Sequence, residues 1–478
     1  MKQLFNKSMA RQMSLVEEIN QSEESSVIEL ANQFGADVKT IMKDIKEINK
    51  TIYPLEVVPS VSLTYYVEVP PGYSFDFVYI SFLAKSPEFQ LLELIFKNET
   101  YSGQELSKKL FLSLSSLRRR VIRLNTILQS EGIRIESNPY RIRGDEKRIV
   151  NFFVHYLVGK YTISQNYLSE FEQKNITHLV NKILTVSKIK ENFHYRELTT
   201  WLIVVSLVRE KHGVSIEGLD IGVFEAVRQY YAEEVILHKK FKSVFKVGVT
   251  TSLLCRSTYL VIQPGYAYTT DQWQGESLVG TKSYERGRRI EALLAKIVSD
   301  FKLTSPPPEV ALKLYNISIT HLGKVRLLNN LDDVFLKEAQ KKWPEFIQML
   351  TKEYEASSQY LATEQFSVFV FQLVSEWTEL AHYLSRNQKK LTIGLFYTTT
   401  QAHMEYVARE LQRFLPDILT ITFLDDGGKE ELLTKEIDVI VTNINDFSNT
   451  KKVICLSRDI DSKDVAKVSK FYEQWLLK

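Results

Sequence analysis

Ser113-Leu-Ser-Ser-Leu-Arg-Arg-Arg-Val-Ile-Arg-Leu-Asn125 is the stretch whose reading decides this chain. Ser113 or Ser115 can cap a first helical turn, accepting backbone N–H groups that would otherwise be orphaned. Leu117, Val121, Leu124 and Leu128 recur at helical spacing and make one apolar face. Arg118, Arg119, Arg120 and Arg123 fall largely off that face. Just upstream, Gly103 to Leu110 reads as a shorter helix and Phe111 to Ser113 as a tight turn. Short helix, turn and basic second helix make a helix-turn-helix, whose second helix enters the DNA major groove.

The residues that follow complete the shape. Ile133 to Glu136 alternates like a strand, Ser137-Asn-Pro-Tyr140 has turn residues, and Arg141 to Arg143 is a second short strand closed by Gly144. This predicts a small β-wing whose Arg134, Arg141 and Arg143 reach phosphates beside the groove. Between Arg118 and Arg143 stand seven Arg against two carboxylates, Glu131 and Glu136. Phosphate neutralisation supplies most non-specific affinity for duplexes, so this density suits DNA. A solvated charged helix is the bland alternative; the agreement of helix, turn and wing with the charge favours DNA.

With 478 residues the chain exceeds one ordinary domain. Its 44% hydrophobic content, 26 Phe and 24 Tyr supply sizeable cores, and low Gly and Pro usage favours helices. A net charge of +3 is near neutral, so DNA binding must use a local patch. The two cysteines, Cys255 and Cys455, form no CxxC site or disulfide framework, which fits a reducing cytoplasm. No apolar run of about 18 residues and no leader pattern is evident, so neither membrane spanning nor secretion is expected. The expected location is cytoplasmic. No metal or cofactor motif and no nucleophile elbow stands out, so an enzyme is not expected and no cofactor is called for. Asp332-Asp333 and Asp425-Asp426 are explained by capping and turn chemistry.

In chain order, residues 1–20 read as a lead-in helix. Ser26 to Phe34, Gly35 and a helix from Val38 to Asn49 capped by Asp37 make a second helix-turn-helix. Ile41, Ile45 and Ile48 face inward, leaving Lys39, Thr40, Lys43 and Lys46 outside. Residues 1–83 carry seven Lys/Arg and eleven Asp/Glu, so this unit is the weaker DNA reader. Val57 to Ile80, alternating around Pro70-Pro-Gly72, predicts a hairpin or wing. Helices follow at 88–97 and 146–158. From about 170 to 385 long helices dominate: 171–186, 195–211, 224–240, 284–301, then, after Pro306-Pro-Pro308, 309–328, 336–357 and 365–386. Two bundles of similar size hint at a structural repeat. Residues 390–478 alternate strands (391–397, 418–423, 436–442, 452–456) with helices (401–414, 429–435, 462–477), which predicts a parallel α/β sheet.

In this order the chain resembles the Mga/AtxA-like family of virulence transcriptional regulators of Gram-positive bacteria. The resemblance rests on Ser115 to Asn125 with the wing and Gly144-Asp-Glu146, and on the succession of modules along the whole chain. It implies a mainly α, multidomain protein. Two N-terminal winged helix-turn-helix units (1–83 and 84–165) precede two all-α bundles like phosphotransferase regulation domains, or PRDs (166–302 and 303–388). A C-terminal α/β domain like the phosphotransferase EIIB subunit (389–478) completes it. The resemblance implies a DNA-binding activator of transcription that forms homodimers or higher oligomers on double-stranded promoter DNA. Arg118, Arg119, Arg120, Arg123, Ser115, Ser116, Arg134, Arg141, Arg143, Lys39, Thr40 and Lys43 are the DNA-binding candidates. Histidine phosphorylation by the sugar phosphotransferase system's phosphocarrier is implied as a modulator, with His321 and His194 as candidate acceptors. EIIB enzymes carry a nucleophilic cysteine after the first strand. Here Tyr397-Thr-Thr-Thr-Gln401 occupies that loop, and Cys455, in the fourth strand, is expected to be a buried small hydrophobe. The domain therefore reads as catalytically dead. The competing function is an antiterminator-type or phosphotransferase-linked regulator that binds RNA or protein rather than DNA.

Overall fold

The computed structural model describes all residues except 1, 22–24, 61–63, 165–166, 187–192, 215–234, 259–266, 268, 276–277, 321–327, 329, 425–436, 446, 448–451 and 477–478. The chain divides into two bodies, Met1–Tyr268 with Ile319–Asn330, and Thr269–Ser318 with Leu331–Lys478.

The first body is organised by a duplication. Helix α1 (Lys7–Gln21), the two-residue strand β1 (Ser25–Ser26), α2 (Val27–Gln33) and α3 (Val38–Ile52) lead to strands β2 (Glu56–Pro59) and β3 (Thr64–Glu68), then α4 (Phe77–Lys85). Helices α5 (Pro87–Lys97), α6 (Gly103–Lys109) and α7 (Leu114–Leu128) lead in the same way to β4 (Ile133–Glu136), β5 (Arg141–Gly144) and α8 (Glu146–Tyr161). The helical parts superpose in sequence at a constant offset of 76 residues. Ser26 and Ser102 open α2 and α6, each in a capping box with Glu29 or Glu105. Asp37 and Ser113 then cap α3 and α7, accepting from the N–H of Thr40 and Ser116. The buried stripe Ile41, Ile45, Ile48, Ile52 recurs as Leu117, Val121, Leu124, Leu128. The turn keeps its left-handed residue as well, with φ +57° at Gly35 and +53° at Phe111. Glycine takes that conformation without penalty; a phenylalanine does so at a cost of about 1 kcal/mol or more.

Each copy ties its wing to its second helix through one asparagine. Asn49 donates to the Val57 carbonyl (3.0 Å) and accepts from the Val57 N–H (2.8 Å). Asn125 does the same with Ile135, at 2.8 and 2.7 Å. These paired bonds satisfy a strand position that its neighbouring strand leaves open, and they set the wing beside the helix. β2 pairs antiparallel with β3, and β4 with β5.

The first wing corrects a sequence expectation. Its hairpin joins β2 to β3, while Pro70-Pro71-Gly72 lies beyond it and leads into α4 rather than turning a strand. Val78, Phe82 and Leu83 have helical spacing and are buried against α3, α5 and α8. A strand would have sent Phe82 and Leu83 to opposite faces. One apolar core runs through both copies, with Phe5 edge-on to Phe82 and Phe89, Phe89 stacked on Tyr156, and Phe96 on Phe153.

Helices α9 (Glu170–Val186) and α10 (Phe193–Lys211) follow, and α10 packs on α8 and on the helix Thr251–Thr258. The contact contains a buried ionic cluster. Arg209, 1% exposed, donates to Glu99 (2.9 Å) and Glu146 (2.8 Å). Arg143 of the wing shares Glu99 at 2.7 Å, and Arg256 pairs with Glu210 at 3.0 Å. Three guanidiniums facing three carboxylates compensate charges that could not be buried singly. The expected helix 224–240 falls largely outside the described residues; what is described is Val235–Phe245.

Lys282–Phe301 appears near its expected place in the second body, and of the expected helix 309–328 the described part is Pro308–Thr320, residues 321–327 lying outside the described residues. The expected helix 336–357 is two, Leu331–Lys342 and Pro344–Ala356, because Pro344 has no N–H to continue the first and sits at the favoured first position of the second. The expected helix 365–386 likewise divides at Trp377 into Phe366–Glu376 and Thr378–Arg386. Four strands, β6 (Leu391–Phe396), β7 (Leu419–Phe423), β8 (Val439–Thr442) and β9 (Lys452–Cys455), form a parallel sheet in the order β7-β6-β8-β9. Helices Gln401–Phe414 and Ser462–Trp475 cover it. The expected helical stretch 429–435 lies outside the described residues. Among the described residues no helix is long and apolar enough to cross a membrane.

Candidate nucleic-acid interface

The serine cap places the start of α7 at the surface. Ser113 accepts from the Ser116 N–H at 3.2 Å, so the first turn stays wet and unobstructed. Glu105, in the capping box of α6, is held below the usual carboxylate range by the N–H and hydroxyl of Ser102. Burying Leu117, Val121, Leu124 and Leu128 then forces the opposite face outward. That face carries Ser115, Arg118, Arg119, Ile122 and Thr126, all exposed. Among the described residues Arg118 and Arg119 have no ion-pair partner. Two free guanidiniums on the first turns of such a helix can reach phosphates or guanine edges.

The other two arginines of the helix, also expected from the sequence to face DNA, are bonded within the chain. Arg120 donates to Glu88 at 2.6 Å, and Glu88 is 1% exposed. Arg123 lies 3.3 Å from the same carboxylate oxygen and donates to the carbonyls of Gln3, Leu4 and Phe5 at 3.0, 2.7 and 2.8 Å. Both sit on the flank of α7, between its core and its outer face, where α5 and the N-terminal segment approach. These bonds tie α7 to α5 and to the N-terminal segment. The first copy anchors its second helix at the equivalent position, with a carboxylate in place of the arginine. Asp44, the counterpart of Arg120, accepts from Arg11 (2.5 Å) and Gln12 (3.0 Å), and Gln12 is the counterpart of Glu88.

The wing divides similarly. Arg141 is exposed and has no ion-pair partner among the described residues. Arg134 is exposed but paired with Glu136 at 2.8 Å. Arg143, expected to reach a phosphate, turns inward and pairs with Glu99 in the ionic cluster at 2.7 Å. On α3, Lys39, Lys43 and Lys46 are exposed and without ion-pair partners among the described residues, whereas the Thr40 hydroxyl is bonded to Asp37 at 3.0 Å. Ser116 is half-buried, its hydroxyl receiving a bond from Ser113 at 2.9 Å. Two features went unread in the sequence. Ile122 is 68% exposed in the middle of the basic face, and Phe111 is 96% exposed in the turn.

The histidines are less informative. His321 lies outside the described residues, and His194 sits in α10 with its side chain outside them. His212 donates to the Phe96 carbonyl at 2.9 Å and so fastens α10 to α5. In the C-terminal domain the Thr398 N–H donates to Asn443 at 3.0 Å, and Thr400 caps the following helix. Cys455 is not the sealed hydrophobe expected. It is half-buried at the end of β9, its thiol 3.3 Å from the Asn445 side-chain oxygen, where the strand runs out into a crevice of about 500 Å³. Among the described residues no group of His, Cys, Asp or Glu could hold a metal ion.

The Mga helix-turn-helix domain family matches residues 71–157, which contain α5 to α7, the second wing and most of α8. The chain is 21% identical over 468 residues to a Streptococcus pneumoniae serotype 4 protein named as a trans-acting regulator, covering 93% of each. It is 22% identical to the Bacillus anthracis capsule synthesis positive regulators AcpA and AcpB, over 241 and 268 residues, which is 49% and 55% of those proteins. These findings support a Mga/AtxA-like transcriptional regulator; the relatives are named as regulators, not as enzymes.

Proposed function

We propose that this chain, similar to Mga/AtxA-like regulators, binds double-stranded promoter DNA through α7 and activates transcription. The observation that carries this is the outer face of α7. It offers Ser115, Arg118 and Arg119 to solvent with their charges uncompensated, while the inner face and flank are locked by the core, Arg120 and Arg123. α7 lies in the major groove in this reading, Arg141 meets a flanking phosphate, and α3 adds Lys39, Lys43 and Lys46 as phosphate contacts. Activation is supported by the similarity to AcpA and AcpB, which are named as positive regulators. Self-association is supported by the resemblance and by the symmetry that paired half-sites impose on such regulators. The helical segments 166–302 and 303–388 act as PRD-like regulatory modules and 389–478 as an EIIB-like module, with His321 and His194 as phosphoacceptors for a phosphocarrier; the resemblance supports these roles.

The test is binding of the full chain to a pool of promoter-length duplexes across a salt series. The wild type is expected to bind with a steep loss of affinity as salt rises. Replacing Arg118 and Arg119 together by Ala should reduce the slope of log K against log salt by about 2, since each phosphate contact contributes about 0.9. An unchanged slope and affinity would refute the assignment of α7.

A further inference from the structure

The duplication allows the two outer faces to be compared position by position. Ser115, Arg118, Arg119, Ile122 and Thr126 of α7 correspond to Lys39, Met42, Lys43, Lys46 and Lys50 of α3. The α3 face carries four lysines. The α7 face carries two arginines, two hydroxyls and, at the position of Lys46, an isoleucine. Lysine is a flexible point charge suited to phosphates, whereas hydroxyls and guanidiniums can also bond to base edges.

Ile122 does not fit a purely electrostatic surface. The residue is 68% exposed, although Leu117, Val121, Leu124 and Leu128 of the same helix are buried. Arg118 and Arg119 precede it by one turn and Thr126 follows by one turn, so all four share a face. No carboxylate of α7 lies on that face. A partner seated on this face would meet two guanidiniums and an apolar group together. A DNA major groove suits both, because its apolar feature is the C5-methyl of thymine.

We propose that Ile122 is a specificity-determining residue that packs against a thymine methyl in the major groove, while α3 supplies sequence-independent phosphate contacts. This rests on the reading of α7 as the DNA-entering helix. It assigns one position of the bound sequence as thymine, within one helical turn of the contacts made by Arg118 and Arg119.

The test uses the full chain and duplexes enriched by the wild type from a randomised pool. Each thymine of the enriched site is replaced in turn by uracil, which removes only the methyl group. At one thymine the wild type should lose about fourfold in affinity, the worth of one methyl withdrawn from water. Ile122→Ala should bind without that penalty, with an unchanged salt slope, and should enrich sites in which this thymine is no longer selected. If uracil is neutral at every thymine for the wild type, or if Ile122→Ala retains the same penalty, the inference is overturned while DNA binding stands. If the wild type enriches no sequence and binds no duplex at any salt, the reading of α7 falls and the inference falls with it. The uracil series on the wild type needs no variant, so a folding defect in Ile122→Ala could not mask the result.

Discussion

Arg119 and Arg120 are adjacent in sequence and should behave as different kinds of residue. Arg120→Ala removes the 2.6 Å partner of Glu88, a carboxylate 1% exposed. Removing one partner of a buried ion pair costs roughly 3–5 kcal/mol, because the other charge is left in an apolar setting. Here the loss is softened. Arg123 remains 3.3 Å from the same oxygen, and Ser86 donates to the second oxygen at 3.2 Å. A destabilisation of about 2–3 kcal/mol is expected. At about 2–4 °C per kcal/mol for a body of this size, the Tm should fall by roughly 5–10 °C. Below that Tm, binding to duplex DNA should keep the wild-type salt slope. Arg119→Ala should do the reverse, with an unchanged Tm and a slope lower by about 0.9. Replacing both members of the pair, Glu88→Gln with Arg120→Met, should recover much of the lost stability, since no unpaired charge is then buried. Scanning calorimetry and a fluorescence-anisotropy salt titration on the three variants decide the matter. An Arg120→Ala protein of wild-type Tm and reduced salt slope would show that Arg120 leaves Glu88 to contact DNA, and the division of α7 into anchoring and reading arginines would be wrong.

Two further outcomes follow from the same body. Burial raises the Glu93 carboxyl, but hydrogen bonds from Lys160, Lys97 and Tyr156 outweigh burial and bring it down to about 2. A depressed carboxyl stabilises the fold above its unfolded value, about 4.5, and that contribution, about 3 kcal/mol, is lost as pH falls from there toward 2. The Tm of Glu93→Gln should therefore fall less steeply than that of the wild type between about pH 4.5 and 2.5; parallel curves would refute the assignment. Asn125→Ala removes both bonds to Ile135 and should cost about 1–3 kcal/mol. Hydrogen exchange should accelerate in β4 and leave β2, held by Asn49, at its wild-type rate; equal effects on both wings would show that the clamps are not local.

Much of the architecture was legible in the chain because it depends on neighbours in sequence. Caps at Asp37 and Ser113, the periodic stripes of α3 and α7, and the alternating strands and helices after residue 390 are short-range signals. The misreadings share a different character. Phe77 to Lys85 is helical because its apolar groups pack on α8, which lies some seventy residues later. The breaks at Pro344 and Trp377 divide segments whose apolar periodicity reads as continuous. Two helix-turn-helix units are legible in the sequence, but their residue-by-residue correspondence is not, because the few identities, such as Ser26 with Ser102 and Asn49 with Asn125, are scattered among unlike residues. What repeats is a set of hydrogen bonds rather than a string of letters.

The sequence by itself determined that α7 would be a capped amphipathic helix dense in arginine, preceded by a turn and followed by a wing. Those properties arise within a few residues of backbone and need no distant partner. It could not determine which arginines would be free. A guanidinium is equally satisfied by a phosphate or by a carboxylate brought from elsewhere in the chain. Only the tertiary structure, by placing Glu88 under Arg120 and Arg123 and Glu99 under Arg143, decided that these three hold the fold. The same packing leaves Arg118, Arg119 and Arg141 facing water, with their charge available to a ligand.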